Sequence, residues 1–252
     1  MIDKGIIHLF GVSMHAWTME ETVQVIKKRL EDNLFTQHVV VNVAKLVNMQ
    51  SDSVLAESVK SCDIINIDGA GVVVGGRMLG MKIPGRVAGV DLFHQLLAIA
   101  EKNEHSVYLL GARDHVTEET VRQVKRSYPE LKLAGYHHGY FWANEEEVVK
   151  DIATSEAKML FVAITSPKKE NFINKWKDEL GVTFVMGVGG TFDVVAGKTR
   201  RAPIWMQKAG LEWFYRVLQE PKRLWKRYLI TNCVFAWMLL KAKIKQLTKT
   251  VN

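Results

Sequence analysis

Three glycines with three cations close behind them set the first chemical expectation for this chain. The stretch from Val182 to Pro203 reads VTFVMGVGGTFDVVAGKTRRAP. It opens as a short apolar run and turns on Gly187, Gly189 and Gly190, where missing side chains let backbone N–H groups approach a ligand closely. Lys198, Arg200 and Arg201 follow at once. A strand end, a bare-backbone loop reaching to Asp193 and a cluster of positive charge together suit a diphosphate. The competing reading is an ordinary glycine turn of an α/β protein.

Other residues could join that chemistry. Asp68 stands at a strand end before Gly69 and Gly71. A carboxylate there could act as a general base. It could equally be a helix N-cap, a device that stabilises by about 1 kcal/mol, and the local residues leave both readings open. Arg86 lies in a glycine-punctuated loop, placed to clamp a phosphate or simply to face solvent. Lys168, Lys169 and Glu170 open a helix, where cations oppose the helix dipole, so their placement argues for an anionic ligand.

Several chemistries find no support. His137 and His138 sit among aromatics with no third ligand at metal spacing and read as loop histidines. No Asp-x-Asp pair occurs near a strand end, which argues against a nucleotide held through a divalent ion, so neither a metal nor a cofactor is expected. The run Gly187-Val-Gly189-Gly190-Thr-Phe192 partly resembles a dinucleotide fingerprint. Phe192 occupies the third glycine position, however, and the run comes near the end of the sheet, which weakens a nicotinamide oxidoreductase reading. A Walker lysine-serine pair, a Gly-x-Ser-x-Gly elbow and a zinc-binding helix motif are all missing from the sequence.

The elements that must position these residues alternate. A capping box at Thr18–Glu21 predicts a helix to about Glu31. Strands are predicted over His38–Asn42, Asp63–Asp68, Ser106–Gly111, Leu131–Gly135 and Lys158–Ile164, and the glycine loop's own strand completes the set. Between them, helices carry Lys45, run through Gly75 and Gly76, span Leu92–Lys102 under an Asp91 cap, and extend to Tyr128. Further helices start at an Asn144 cap and cover about Asn171 to Leu180. Strands alternating with helices of ten to fifteen residues mean βαβ crossovers, hence an α/β, doubly wound, mostly parallel, Rossmann-like sheet. Ligands bind outside the carboxyl ends of such strands. Asn42, Asp68, Ser166–Glu170 and Gly187–Asp193 all fall there, which predicts one shared cleft.

The charge is uneven. The 252 residues are 48% hydrophobic and 24% charged, with a net charge of +7. From Lys198 onward there are thirteen Lys/Arg and two Asp/Glu, a local balance of +11 against −4 for the first 197 residues. The same segment holds Trp205, Trp213, Trp225 and Trp237, four of the seven tryptophans. Residues 1–200 are therefore expected to form the α/β domain and 201–252 a basic, helical, tryptophan-rich appendage. One helix is expected over Ala209–Leu218 and, past Pro221, another over Lys222–Lys245. On an unbroken helix Arg216, Arg223 and Arg227 would share a face. Cations interleaved with tryptophan fit an anionic membrane surface or nucleic acid. The apolar stretch Tyr228–Leu240 is too short for the about 20 residues that a span needs, so the appendage would lie on a bilayer or against the domain. Cys62 and Cys233 offer no disulfide framework, and the first residues, MIDKGIIHLFGV, lack signal-peptide features, so a reducing cytosol is expected.

Taken together, the segments VNVAK (41–45), DGAGVV (68–73), RVAGVDL (86–92), GYHHGYF (135–141), SPKKE (166–170) and GVGGTFDVVAGKTRRAP continuing into GLEWFYRVLQEP resemble the WecG/TagA/CpsF glycosyltransferases of bacterial surface-polymer synthesis. They span nearly the whole chain in the family's order. The resemblance implies inverting, metal-independent transfer of a sugar from a UDP donor to a polyprenyl-diphosphate-linked sugar at the inner face of the cell membrane, the sugar expected to be of the N-acetylmannosamine type, although its uronic acid and glucose also occur in the family. It implies Asp68 as the base, and Asn42, Arg86, Asp91, Lys169, Glu170, Gly187, Gly189, Gly190 and Asp193 around the substrate. It further implies that the basic C-terminal appendage meets the membrane and helps complete the site; with their spacing, Arg216, Arg223 and Arg227 are expected toward membrane and acceptor, with no nucleic-acid partner and a second copy of the chain as a further candidate partner. Val40 stands where the family commonly has threonine, and Lys169 where it usually has glutamine.

Overall fold

The structure is a computed structural model that describes residues 5–250. Residues 1–4, the start of the stretch read for a signal peptide, and residues 251–252 of the C-terminal segment lie outside the described residues. The chain opens with β1 (Ile6–Leu9), β2 (Val12–His15), α1 (Met19–Glu31), β3 (Thr36–Val41), α2 (Val43–Asn48), α3 (Ser53–Lys60), β4 (Ile64–Ile67) and α4 (Ala70–Met78). It continues through α5 (Gly89–Lys102), β5 (Val107–Gly111), α6 (Asp114–Ser127), β6 (Leu133–His137), α7 (Glu145–Thr154), β7 (Met159–Ala163), α8 (Lys168–Trp176) and β8 (Phe184–Gly187). The last elements are α9 (Thr191–Val195), α10 (Ile204–Lys208), α11 (Glu212–Gln219) and α12 (Pro221–Thr250).

Among the described residues, eight strands form one sheet in the order β1-β2-β4-β3-β8-β7-β5-β6, parallel except for the β1–β2 hairpin. Strand side chains alternate between two apolar layers, as a sheet covered on both faces requires. Leu109, Phe161 and Met186 enter the layer shared with α1, α5 and α6. Leu110, Val162 and Val185 enter the opposite layer, under α7 and α8. The sheet is therefore α/β and doubly wound, with a helical C-terminal segment. Local signals that depend on neighbours in sequence appear as expected. The Thr18 N–H donates to Glu21 Oε2 at 2.7 Å and the Glu21 N–H to Thr18 Oγ1 at 3.1 Å, closing the capping box.

Several boundaries are corrected. The β1–β2 hairpin and α3 were not foreseen, and β6 lies two residues later than expected. It is an edge strand bonded only to β5, with a register irregularity there. Helix α8 starts at Lys168, not near Asn171, and ends at Trp176. Helix α5 starts at Gly89 under an Ala88 N-cap, whose methyl group has no acceptor to offer; Asp91, expected as the cap, lies in the first turn and is bonded to Arg201. The expected helix over Ala209–Leu218 is broken at Gly210 (φ +74°), which faces Ala70 so closely that an added Cβ would lie 2.4 Å from the alanine's own Cβ. A left-handed backbone with no room for a side chain admits only glycine. Beyond the break, α12 returns to the domain: Phe235 is buried in the apolar layer of α2 and α4, and Leu239 packs against it over Gly75.

Candidate active site

The carboxyl ends of β4, β3, β8 and β7, consecutive in the sheet, carry Asp68, Asn42, the glycine loop and the Thr165–Glu170 segment respectively. Asn42 is the N-cap of α2, its side chain accepting from the Lys45 N–H at 3.0 Å. Asp68 is not a cap. Gly69 holds that position in α4 with a backbone φ of +90°, and α4 has no side-chain cap. The helix-cap alternative for Asp68 is thereby removed.

Around Asp68 a chain of charges is drawn from five segments. Arg86 lies 3.6 Å from Asp68 Oδ1 through Nη1 and 2.7 Å from Glu212 Oε2 through Nη2. Glu212 also meets Arg201 Nε at 3.4 Å, and Arg201 grips Asp91 with both Nη atoms, Nη2 to Oδ2 at 2.7 Å. Burial pushes the Asp68 carboxyl above its ordinary range; Arg86 opposes that shift and the negative charge of Glu212 adds to it. Asp91 goes the other way, held below the usual carboxylate range by the Arg201 hydrogen bond. Asp91 and Arg86 thus belong to one network, whereas Glu212 was missed. A signal was present: Glu212 and Glu220 are the only acids in a segment of thirteen cations.

A second cluster lies inside the protein. Lys45 Nζ donates to the Val40 carbonyl at 2.6 Å and meets Glu170 Oε1 at 2.8 Å, and Lys169 Nζ bonds the same Glu170 oxygen. All three side chains are at most 7% exposed. Lys169 and Glu170, expected at the surface of the cleft, are therefore buried. The Lys169 stem runs under the glycine loop, where a Cβ on Gly187 would come within 2.8 Å of Lys169 Cε. Burial, then the charge of Lys45, pulls the Lys169 ammonium below the usual lysine range, while Glu170 is held ionised, its carboxyl lowered by both lysines against the opposing effect of burial. Nearby groups do not balance the extra cation. Burial pushes His38 down to about 4 and the Cys62 thiol up to about 12, leaving both neutral.

The three C-terminal arginines are not on one face. The backbone leaves helical geometry at Glu220, the C-cap of α11, so Arg216 is separated from the other two. Its guanidinium stands over the glycine loop, with Nη2 2.7 Å from where a Gly190 Cβ would be. Arg223 pairs with Glu220 at 2.6 Å, and Arg227 lies 5.3 Å from the Tyr228 ring centroid. Asp193, on α9, pairs with Lys198 at 2.8 Å. Gly189 has open space around it. A separate cavity of about 390 Å³ opens beside β6, lined by His137, His138, Tyr140, Phe141 and Asn144 among others, and takes no residue from either charge cluster. Among the described residues no three His, Cys, Asp or Glu side chains are grouped as metal ligands, and no helix is long and apolar enough to cross a membrane.

The model of the family described as "Glycosyl transferase WecG/TagA/CpsF family" matches residues 7–249. A Bacillus spizizenii protein named N-acetylglucosaminyldiphosphoundecaprenol N-acetyl-beta-D-mannosaminyltransferase is 41% identical over 169 residues, 67% of this chain and 65% of the relative. A Bacillus subtilis protein of the same name is 39% identical over the same shares, so the match spans just under two thirds of the length of these two relatives. A Staphylococcus aureus protein with that name is 32% identical over 244 residues, 95% of this chain and 94% of the relative.

Proposed function

The chain belongs to the WecG/TagA/CpsF family of glycosyl transferases, and from that premise we propose that it moves a sugar of the N-acetylmannosamine type from UDP to a polyprenyl-diphosphate-linked sugar. The relatives' names supply the sugar and the acceptor class. The observation that carries the reading is an under-compensated carboxylate, Asp68, at the carboxyl end of β4, with a cation-backed glycine loop at the same end of β8, one strand away across β3.

In this reading Asp68 takes the proton from the acceptor hydroxyl. The hydroxyl oxygen bonds to the anomeric carbon as the bond from that carbon to the UDP oxygen breaks, and the electron pair leaves with the diphosphate. Attack opposite the leaving group inverts the centre. Negative charge growing on the diphosphate meets the backbone N–H groups of Gly189 and Gly190 and the Arg216 guanidinium, so no metal is assigned a role. Asn42 borders the acceptor side, and the segment from residue 201 onward faces the cytoplasmic side of the membrane. Trp205, Trp213, Phe214, Trp225 and Trp237 are exposed beside its cations, which supports a bilayer as the partner.

The test is UDP release by the full chain, given a short-chain polyprenyl-diphosphate-linked N-acetylglucosamine and a panel of UDP-sugars. Release with UDP-N-acetylmannosamine, unchanged by chelator, is expected. No release with any donor, together with NAD(H) binding, would favour an oxidoreductase. Sedimentation with anionic rather than neutral liposomes, lost when Arg223 and Arg227 become Glu, tests the membrane part. Duplex DNA binding without lipid preference would replace it with a nucleic-acid partner.

A further inference from the structure

The cleft network holds three carboxylates, Asp68, Glu212 and Asp91, against two guanidiniums, Arg86 and Arg201. One negative charge is therefore left over, and the distances say where it falls. Asp91 is held by both Nη atoms of Arg201. Glu212 has a hydrogen bond from Arg86 at 2.7 Å and a second, weaker contact to Arg201. Of the two guanidiniums, Asp68 meets only the far edge of Arg86 at 3.6 Å, beyond ordinary hydrogen-bond reach. Since Arg86 is turned toward Glu212, the surplus charge rests on Asp68.

We propose that Glu212 is a positioning residue for the reaction: it draws Arg86 away from Asp68 and so keeps that carboxylate free to accept a proton. Were Glu212 absent, the guanidinium could turn and pair bidentately with Asp68, the arrangement that Arg201 makes with Asp91. A carboxylate locked in such a pair is a weak base with its lone pairs already used. The control is exercised by α11, a helix with no buried residue of its own. Glu212 is its first residue, and Trp213 and Phe214 next to it are exposed. The groups facing Asp68 are Arg86, Glu212, the Gly69 backbone N–H and Lys45. Glu212 is the one carboxylate among them, hence the one whose removal lowers the proton affinity of Asp68.

This inference rests on Asp68 being the base, and the experiment separates the two ideas. The pH dependence of kcat/KM is measured for the full chain carrying Glu212→Gln, Glu212→Asp or Asp68→Asn, alongside the unaltered protein. Glu212→Gln is expected to shift the acid limb to lower pH and to lower kcat by on the order of tenfold, less than the about 100- to 10,000-fold of losing the base. Its KM for the UDP-sugar should hold. Glu212→Asp, which keeps the charge, should leave the limb closer to the original. In parallel, 13C NMR of carboxyl-labelled aspartate, with Asp68→Asn to assign the signal, reads the Asp68 titration directly and needs no turnover. Its midpoint should fall in Glu212→Gln. An unmoved or raised midpoint overturns the role of Glu212 even if activity drops. Full activity in Asp68→Asn overturns instead the assignment of the base.

Discussion

The cleft network around Asp68 and the buried trio of Lys45, Glu170 and Lys169 are unbalanced in opposite senses. The first has three carboxylates for two guanidiniums, with side chains 20% to 43% exposed. The second has two ammonium groups for one carboxylate, with side chains 2% to 7% exposed. An ion cluster evolved only for stability would be neutral, since an unpaired buried charge is strongly costly. Both imbalances lie at the carboxyl end of the sheet, one at the carboxylate proposed to take up a proton and the other beneath the loop proposed to hold a diphosphate. The clusters also sense each other, because Lys45 is among the groups that draw the Asp68 carboxyl down. The difference in exposure assigns the work: the cleft surplus can touch a substrate, and the buried surplus can act only through the field it sets up.

The largest effect is expected at Asp68. Changing it to Asn removes the surplus negative charge and the base together, so kcat should fall by about 100- to 10,000-fold while UDP-sugar binding stays near normal. Steady-state kinetics with calorimetric donor titration check this. Activity near that of the unaltered protein would reduce the cleft surplus to a structural accident. Because burial raises the Asp68 carboxyl, the rate of the unaltered protein should be full above that raised value. It should be lost as pH falls through it, at a higher pH than an ordinary aspartate would give.

The second break is in the buried cluster. Glu170→Gln leaves two lysines facing each other without a counter-charge, and removal of one member of a buried ion pair costs about 3–5 kcal/mol. Release of the Lys169 proton tempers the loss, so the variant should regain part of its stability as pH rises. Denaturant unfolding at two pH values measures both. The cost should appear in stability first and in kcat only through the altered loop, the reverse of Asp68→Asn.

The third change acts at the loop proposed to hold the donor. Gly190 has ordinary right-handed backbone angles (φ −78°, ψ 15°), so valine fits the backbone there, and its branches would displace only the flexible tip of Arg216. Gly190→Val should leave stability within about 1 kcal/mol and weaken UDP by about tenfold or more. Unchanged UDP affinity by calorimetry would remove this loop from the donor site.

Legibility in the sequence follows how local each cause is. The Thr18 capping box, the buried run of β3 and the strand alternation depend on residues a few positions apart and were read with errors of a residue or two. The glycine loop and Asp68 were legible as a strand-end pattern. Partnerships across the chain were not. Arg86 meets Glu212 across 126 positions, and no periodicity records that distance. Lys169 and Glu170 were misplaced for the same reason. As a helix start they look solvated, and only the arrival of Lys45 from α2 makes their burial tolerable. The expected common face of Arg216, Arg223 and Arg227 failed because it assumed one helix, whereas the chain turns at Glu220.

The smallest expected effect is the most discriminating between the two clusters. Lys169→Met removes the excess buried cation and leaves Lys45 and Glu170 as a one-to-one pair, with an unbranched side chain that can follow the lysine stem beneath Gly187. If the surplus positive charge serves the ligand and not the fold, stability should rise or hold near neutral pH. The alkaline behaviour should change as well. In the unaltered protein the folded Lys169 ammonium gives up its proton below the usual lysine range. Between that point and the unfolded value, the unfolded chain binds more protons, so stability rises with pH there. The methionine variant lacks that rise. Its UDP affinity should fall by on the order of a few-fold, the scale of one charge acting at several ångströms across a solvated cleft of effective dielectric about 80. Stability lost and UDP affinity kept would make Lys169 a structural member of a three-way ion cluster, and the symmetry between the two surpluses would disappear.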